Sequence, residues 1–199
     1  MAKLDVDDRG AYAAAMRAIA PIEDGDLALG MARLRVRELA AGDLFLRAGQ
    51  LAKDVAIVVR GLLREHFVLD DGTERTKAFI VERESSGSLA DLISGRPSRA
   101  FIVAEEPTRL LVASYAELRE LSATSPAWAA LGRAALERLV ISKAEREWEL
   151  LALDAEQRYA AFRARYPGLE ARTLGRHVAS YLGITPAHFS RLRARRVKR

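Results

Sequence analysis

The side chains with the most chemical potential in this sequence are guanidinium groups that gather near its C-terminal end. Between Ser190 and Arg199, five of the ten residues are arginine and one is lysine. A guanidinium is a planar donor that can bond two acceptors at once, such as O6 and N7 of guanine or two phosphate oxygens. Residues 171–199 carry +8 with no Asp or Glu, and because the whole chain sums to +5, the rest of it must sum to −3. A local basic end is typical of a nucleic-acid contact surface, although a solvated basic tail has the same composition.

The residues before these arginines predict two short helices that would present them. Leu174, Val178 and Leu182 recur at intervals of four, which predicts a helix that ends at Gly183. A glycine there can take the left-handed conformation that a sharp turn requires. Thr185, followed by a proline, then predicts the N-cap and first position of a second helix.

The spacing within this stretch is that of a helix-turn-helix. The two helices of that motif cross closely, which requires a small residue in the first helix, a glycine in the turn and an apolar residue in the second helix. Ala179, Gly183 and Phe189 meet these requirements at intervals of four and six residues. We therefore predict a helix-turn-helix at this end of the chain.

The rotation of the second helix follows from its apolar residues. If Phe189 and Leu192 face inward, the 100° step per residue sends Arg191 outward together with Ala187 and Ala194. We therefore expect Arg191 to reach a base edge. The other candidate DNA-binding residues, expected to cap the helix, flank Arg191 or contact phosphates, are Thr185, His188, Ser190, Arg193, Arg195, Arg196 and Lys198.

The elements upstream predict an α+β chain. Helical spacing marks two short helices at about residues 12–20 and 26–32. From residue 33 to about residue 113, short runs rich in Val, Ile, Leu and Phe are broken by turn signals every 8 to 12 residues, which predicts an antiparallel jelly roll. Asp71-Gly72 is the clearest hairpin turn, because Asp-Gly readily adopts the positive φ of a tight turn.

A helix is predicted over residues 126–153, with Pro126 in its first turn. Its apolar stripe is wider than one jelly roll could cover, which favours pairing with a second copy over packing on its own domain alone. The expected interface residues are Trp128, Leu131, Ala135 and Leu139. Asp154 predicts the cap of a following helix that Pro167-Gly168 ends. Three parts result: a jelly-roll sensor domain at 1–124, a dimerisation helix at 125–153 and a helix-turn-helix domain at 154–199.

Composition excludes several classes of protein. The chain has no cysteine, so disulfides, thiolate zinc sites and cysteine-ligated clusters are excluded. It has no run of 18 apolar residues, and its first residues do not resemble a signal peptide, so we expect a cytoplasmic protein without membrane contact. No Ser/His/Asp order, metal-spaced cluster or phosphate-binding glycine loop is present. We therefore expect no catalysis, no metal and no cofactor.

The helix-turn-helix stretch resembles that of the Crp/Fnr (cyclic-AMP receptor protein and fumarate–nitrate regulator) superfamily of bacterial transcription regulators. The long helix stands where that family has its dimerisation helix. The upstream segments that resemble the family's cyclic-nucleotide-binding jelly roll are AAGDLFLRAG, VAIVVRGLLREHFVLDDGTERT and GSLADLISGRPSRAFIVAEEPTRLLVAS. The resemblance implies the same order of parts over nearly the whole chain.

The chain departs from the family at the nucleotide pocket. The family carries Gly-Glu-Leu, whose Glu holds the ribose, followed by Arg-Ser or Arg-Thr, whose Arg neutralises the cyclic phosphate. Here the first motif is Gly87, Ser88 and Leu89, and Ser98 precedes Arg99 in the second. A buried phosphate without an aligned cation is costly, so this degenerate effector pocket is not expected to bind cyclic AMP.

The DNA-binding end departs as well. Many relatives have a Glu two residues after the capping Ser or Thr, where this chain has Ala187, whereas Ser190-Arg191 matches the family's common Ser-Arg pair. The strands that form a wing around the helix pair are expected to be shortened or missing.

These features together predict a homodimeric, sequence-specific transcriptional regulator that binds a palindromic operator in double-stranded DNA. RNA polymerase is a further candidate partner. Two alternatives stay open: a regulator gated by a cyclic nucleotide or another small effector, and a protein-interaction module with an incidental basic end.

Overall fold

The computed structural model describes residues 4–197, which form eight strands, eight α-helices and one short 3₁₀ turn at Leu169–Ala171. The strands are β1 Arg35–Leu39, β2 Leu44–Leu46, β3 Asp54–Arg60, β4 Leu63–Val68, β5 Glu74–Ile80, β6 Ser85–Ser86, β7 Phe101–Ala104 and β8 Thr108–Ser114. The helices are α1 Val6–Ile19, α2 Asp24–Met31, α3 Leu89–Ser94, α4 Tyr115–Thr124, α5 Pro126–Ala152, α6 Ala155–Arg165, α7 Gly175–Leu182 and α8 Pro186–Val197.

The strands form two antiparallel four-stranded sheets, in the orders β1-β8-β3-β6 and β2-β7-β4-β5. Apolar residues from both sheets, including Val58, Leu63, Ile102 and Leu110, fill the space between them. The predicted jelly roll is therefore confirmed. The Asp71-Gly72 hairpin is confirmed too, because Gly72 has a φ of 79° and joins β4 to β5.

Helices α1, α2 and α4 and the start of α5 cover the outer face of the β1-β8-β3-β6 sheet. Trp128 of α5 packs there against residues such as Tyr12 and Leu111, and its indole N–H donates to the carbonyl of Asp26 at 2.9 Å. Only 5% of Trp128 and 4% of Leu131 are exposed. These two side chains are enclosed by their own protomer, which corrects the expectation that they face a second copy.

The exposed apolar stripe of α5 lies further along the helix. Ala135 and Leu139 are partly exposed, and Val140, Trp148 and Leu151 are between 59% and 81% exposed. The helix begins where it was predicted, because Ser125 accepts a hydrogen bond from the Trp128 amide as its N-cap. A 27-residue helix is about 40 Å long, so this stripe projects well beyond the part that packs on the sheet.

Helices α6, α7 and α8 form the C-terminal helical unit. Asp154 caps α6 through a reciprocal hydrogen-bond pair with Gln157, as its sequence position predicted. The core of this unit contains Phe162, Val178 and Leu182, but it also includes Leu62 and Phe79 of the jelly roll. The two parts of the chain thus share one hydrophobic core. Within residues 4–197, every strand lies between residues 35 and 114.

Candidate nucleic-acid interface

Helix α8 has the rotation that its sequence predicted. Phe189 and Leu192 are buried, at 3% and 6% exposure, and the Phe189 ring meets Tyr159 edge to face. Ala187, Ser190, Arg191 and Ala194 are exposed on the other side of the helix. Because the helix repeats every 3.6 residues, burial of the pair 189 and 192 fixes Arg191 on the outward face.

The turn before α8 also has the predicted geometry. Gly183 adopts the left-handed conformation with a φ of 69°, and Ala179 is completely buried where the helices cross. The hydroxyl of Thr185 accepts a hydrogen bond from the amide of His188 at 3.2 Å and so caps α8. Leu174 is an exception to the predicted apolar face. It is the N-cap of α7 and is half exposed, because the helix begins one residue later.

The guanidinium of Arg191 has no hydrogen-bond or ion-pair partner within residues 4–197, so it is available to an external acceptor. Arg193 lies 5.9 Å from the centre of the Phe189 ring, and Arg195 lies 3.4 Å from the exposed carboxylate of Glu156. Exposed pairs of this kind are weak and easily exchanged for a phosphate. His188 is half-buried, and the predicted contacts of the Arg196 and Lys198 side chains fall outside what the structure describes.

Arg176 is a further candidate for a phosphate contact. In the sequence it contributed only to the net charge of residues 171–199. It is exposed in the first turn of α7, where the backbone amides at the start of the helix lack a side-chain cap. A helix N-terminus favours negative charge, so Arg176 can add to a phosphate contact there. Its position in the first turn of the helix that precedes α8 is the signal that could have identified it.

The surroundings of the helix pair include a network that sequence reasoning missed. Glu105 follows β7, and its side chain is 6% exposed, with its Oε1 bound to Nε of Arg64 at 2.6 Å. Its Oε2 accepts hydrogen bonds from Nδ1 of His177 at 2.7 Å and from the hydroxyl of Thr173. Burial raises the pKa of the Glu105 carboxyl, but the hydrogen bonds from His177, Thr173 and Arg64 together lower it to about 2.

A second link joins Arg172 to the jelly roll. Its guanidinium donates to the carboxylates of Glu82 and Glu106, each at 2.6 Å, and to the carbonyl oxygen of Gly61 at 3.0 Å. These residues are 66 to 111 positions away in sequence. No local pattern could have predicted the pairing, since it exists only when the C-terminal helical unit lies on the jelly roll.

His66 lies in β4 and is buried. Its ring stacks on Phe101 with centroids 5.4 Å apart. Burial, assisted by the positive charge of Arg64, lowers the pKa of His66. The neutral imidazole is therefore the favoured form at neutral pH.

The candidate effector-pocket residues are divided between buried and exposed positions. Ser88 is buried and donates to the carboxylate of Asp91, and Ser98 is buried with its hydroxyl bonded to the backbone of Ala100. Arg99, by contrast, is exposed and makes no hydrogen bond or ion pair within residues 4–197. Serine thus occupies the inward position and arginine the outward one.

Gly87 has a φ of 150° and lies so close to β3 that a Cβ would come within 3.2 Å of the Asp54 carbonyl oxygen. This position therefore requires glycine. Leu89, the remaining candidate, lies on the wall of a separate cavity of about 670 Å³. That cavity is between the outer face of the β1-β8-β3-β6 sheet and the helices α1, α4 and α5, and residues such as Leu118 and Leu136 make its walls largely apolar.

Within residues 4–197, no group of three or more His, Asp or Glu side chains is arranged to hold a metal ion. In the same range, no helix combines the length and the apolar character needed to cross a bilayer.

Comparison with known proteins agrees with this architecture. Residues 36–125 match the family model of the cyclic nucleotide-binding domain. No curated protein matches the chain by sequence. Among solved structures, FixK2 from Bradyrhizobium japonicum is similar with a TM-score of 0.70 and 20% identity, over 81% of this chain and 83% of that one.

Two other solved structures are similar over different lengths. The catabolite activator protein of Thermus thermophilus has a TM-score of 0.57 and 21% identity, over 90% of this chain and 86% of its own. The N-terminal domain of a transcriptional regulator from Streptomyces coelicolor has a TM-score of 0.53 and 27% identity, over 62% of this chain and 89% of its own. Residues 36–125 therefore match a cyclic nucleotide-binding domain, and the fold of the chain, with its long helix and C-terminal helical unit, is similar to those of FixK2 and the catabolite activator protein.

Proposed function

We propose that this protein is a homodimeric, sequence-specific DNA-binding transcriptional regulator. The observation that carries the proposal is the outward, unpartnered Arg191 on the face of α8 opposite the buried Phe189 and Leu192. A helix of this length fits the major groove, where a guanidinium can bond O6 and N7 of guanine. The exposed Ser190 and Arg195 flank it at the positions where the two phosphate backbones would pass.

Dimerisation is proposed to use the part of α5 beyond the sheet. A stripe that includes Val140, Trp148 and Leu151 is costly to leave in water, and a parallel second copy would cover it. Two helix-turn-helix units related by a two-fold axis would then read a palindromic operator. A DNA-binding role also agrees with the sequence, in which no catalytic cluster of side chains was recognised.

The regulator is proposed to act without cyclic AMP. The inward position of the second pocket motif holds Ser98, whose hydroxyl is already bonded to the backbone, while Arg99 faces outward. A cyclic phosphate would therefore lose its cation and meet a neutral hydroxyl.

The apolar cavity of about 670 Å³ supports one alternative, a regulator gated by a small apolar effector that shifts the population of two dimer arrangements. A thermal-shift screen with nucleotides and apolar metabolites separates this alternative from effector-independent binding, because a ligand that binds the native state raises Tm.

The function is tested by selecting operators from random double-stranded DNA with the full-length chain. We expect a palindromic consensus, and an affinity that falls linearly on a log–log plot of binding constant against salt concentration. Binding that shows no sequence preference, or no salt dependence, would favour a protein-interaction module with an incidental basic end. The same assay with Arg191→Ala identifies which base pair the helix reads.

A further inference from the structure

The first helix of the helix-turn-helix lies against the free edge of the jelly roll. In the order β2-β7-β4-β5, strand β5 is the outer strand, so one side of its backbone has no neighbouring strand. The hydroxyl of Ser180 in α7 accepts a hydrogen bond from the Thr76 amide at 2.9 Å and donates one to the Glu74 carbonyl oxygen, also at 2.9 Å. One side chain thus satisfies two backbone groups of an edge strand, which fixes the position of α7 along β5.

The contact continues into the hydrophobic core. Phe79 of β5 is 2% exposed, and its ring centre lies 5.7 to 6.1 Å from those of Phe162, Tyr166 and Tyr181. The hydroxyl of Tyr166 also donates to the Phe79 carbonyl oxygen at 3.2 Å. An aromatic cluster of this size contributes both apolar burial and directional ring contacts, so it resists rotation as well as separation.

Charged groups fix the orientation of the C-terminal helical unit at two further points. Arg172 binds Glu82 and Glu106 ahead of α7, and Glu105 binds His177 in the first turn of α7. With Ser180 near the C-terminal end of the helix, the contacts extend over the whole length of α7. These three anchors, one ahead of α7 and two within it, oppose rotation of the helix on the jelly roll.

The long helix α5 contacts α7 as well. The guanidinium of Arg146 lies 3.9 Å from the centre of the Tyr181 ring and donates to the Tyr181 carbonyl oxygen. Glu149, which is buried, receives hydrogen bonds from Arg146 at 3.0 Å and from Arg165 of α6 at 2.7 Å. The proposed dimer helix is therefore joined to the same helix that the jelly roll holds.

We propose that Ser180, Glu105 and Arg172 are positioning residues for DNA recognition, and that through them the jelly roll sets the distance between the two half-sites that a dimer reads. The inference rests on the proposed function. Helix α8 packs on α6 and α7 through Phe189 and Leu192, so the orientation of α7 on the jelly roll passes directly to α8. In a dimer joined by α5, this orientation determines the separation of the two recognition helices, which must match about one turn of DNA.

The test uses the full-length chain and an operator library in which the two selected half-sites are separated by spacers of different lengths. Wild type is expected to prefer one spacer. In Ser180→Ala and in Glu105→Gln the affinity ratio between the best and the next-best spacer should fall by about two- to tenfold, the factor that one hydrogen bond contributes. The matched controls Ser94→Ala and Glu120→Gln, at exposed positions, should keep the wild-type ratio.

A purely structural role predicts a different result. If Ser180→Ala and Glu105→Gln weaken binding to all spacers equally and leave the ratio unchanged, the proposal is wrong. Both substitutions are close in size to the native residue, so they avoid the loss of folding that Phe79→Ala would risk.

A second measurement keeps this inference separate from the DNA-binding function. Hydrogen exchange of the DNA-free protein should show faster exchange in residues 175–182 for both variants than for wild type, with exchange in β3 and β8 unchanged. Unchanged exchange in α7 would overturn the positioning role, whether or not the protein binds DNA. If α7 loses protection in both variants but the wild-type protein binds no operator, the docking of α7 on the jelly roll would be supported and the proposed DNA-binding function would be wrong.

Discussion

The carboxylate of Glu105 and the imidazole of His177 are 72 residues apart in sequence, yet Oε2 and Nδ1 are separated by 2.7 Å. The other oxygen of Glu105 is bound to Arg64 of the jelly roll. Because the pKa of this carboxyl is lowered to about 2, it is ionised at neutral pH and Nδ1 of His177 carries the proton between them. One carboxylate thus joins the jelly roll to the helix that supports α8.

This pair predicts a loss of stability in acid. The pKa of Glu105 lies below its usual 4.5 in the folded state, so the native state binds fewer protons and the stabilisation is present above about pH 4.5. It should decline as the pH falls towards 2, by about 2 to 3 kcal/mol in the free energy of unfolding. Urea denaturation over this range should show a smaller pH dependence for Glu105→Gln than for Glu120→Gln. An identical dependence in both variants would contradict the assignment.

Arg191→Ala should remove a base contact. We expect a cost of about 1 to 3 kcal/mol in operator binding and relaxed specificity at one position in each half-site. Fluorescence anisotropy with operators substituted at single positions measures both effects.

Arg196→Ala should behave differently, because it is predicted to contact a phosphate. It should weaken binding to all sequences alike and reduce the slope of log affinity against log salt by roughly one. Equal changes in specificity for Arg191→Ala and Arg196→Ala would show that a different face of α8 meets the bases.

Replacement of Val140 by Asp should convert dimers to monomers without unfolding the protomer, because 67% of this residue is exposed and the second copy of the proposed dimer would cover its apolar surface. Sedimentation velocity measures the change. Leu139→Asp should act in the same direction, since Leu139 lies on the same helix and is partly exposed.

Trp128→Ala is the contrasting variant. Its indole is buried within the protomer, so we expect a loss of about 3 to 5 kcal/mol in the free energy of unfolding with little change in the dimer dissociation constant. A dimer that survives Val140→Asp but dissociates in Trp128→Ala would place the interface at the start of α5 instead.

Cyclic AMP should not bind with useful affinity. Loss of the phosphate cation and of the ribose carboxylate should each remove roughly 1.5 to 3 kcal/mol of binding free energy, because charge-assisted hydrogen bonds contribute that amount. Isothermal titration calorimetry with cyclic AMP and cyclic GMP should give no saturating curve, and Arg99→Ala should change nothing. Stoichiometric micromolar binding that disappears in Arg99→Ala would show that this arginine turns inward.

The sequence by itself determined the local features of the fold and of α8. Asp71-Gly72, Asp154 and Gly183 act through backbone geometry within a few residues, so their turns and caps could be predicted without knowledge of distant contacts. The rotation of α8 was predictable for the same reason. The burial of Phe189 and Leu192 follows from helical periodicity, and it leaves Arg191 outside.

Only the tertiary structure decided what each apolar or charged residue meets. The stripe on α5 was continuous in sequence, yet its first part packs on the sheet of its own protomer and only the later part stays exposed. Glu105, Arg172 and Ser180 have no distinctive local pattern, and their partners lie 41 to 111 residues away. Such pairings depend on how the C-terminal helical unit lies on β5, which is fixed by the packing of Phe79 against three aromatic rings and not by any single segment of the chain.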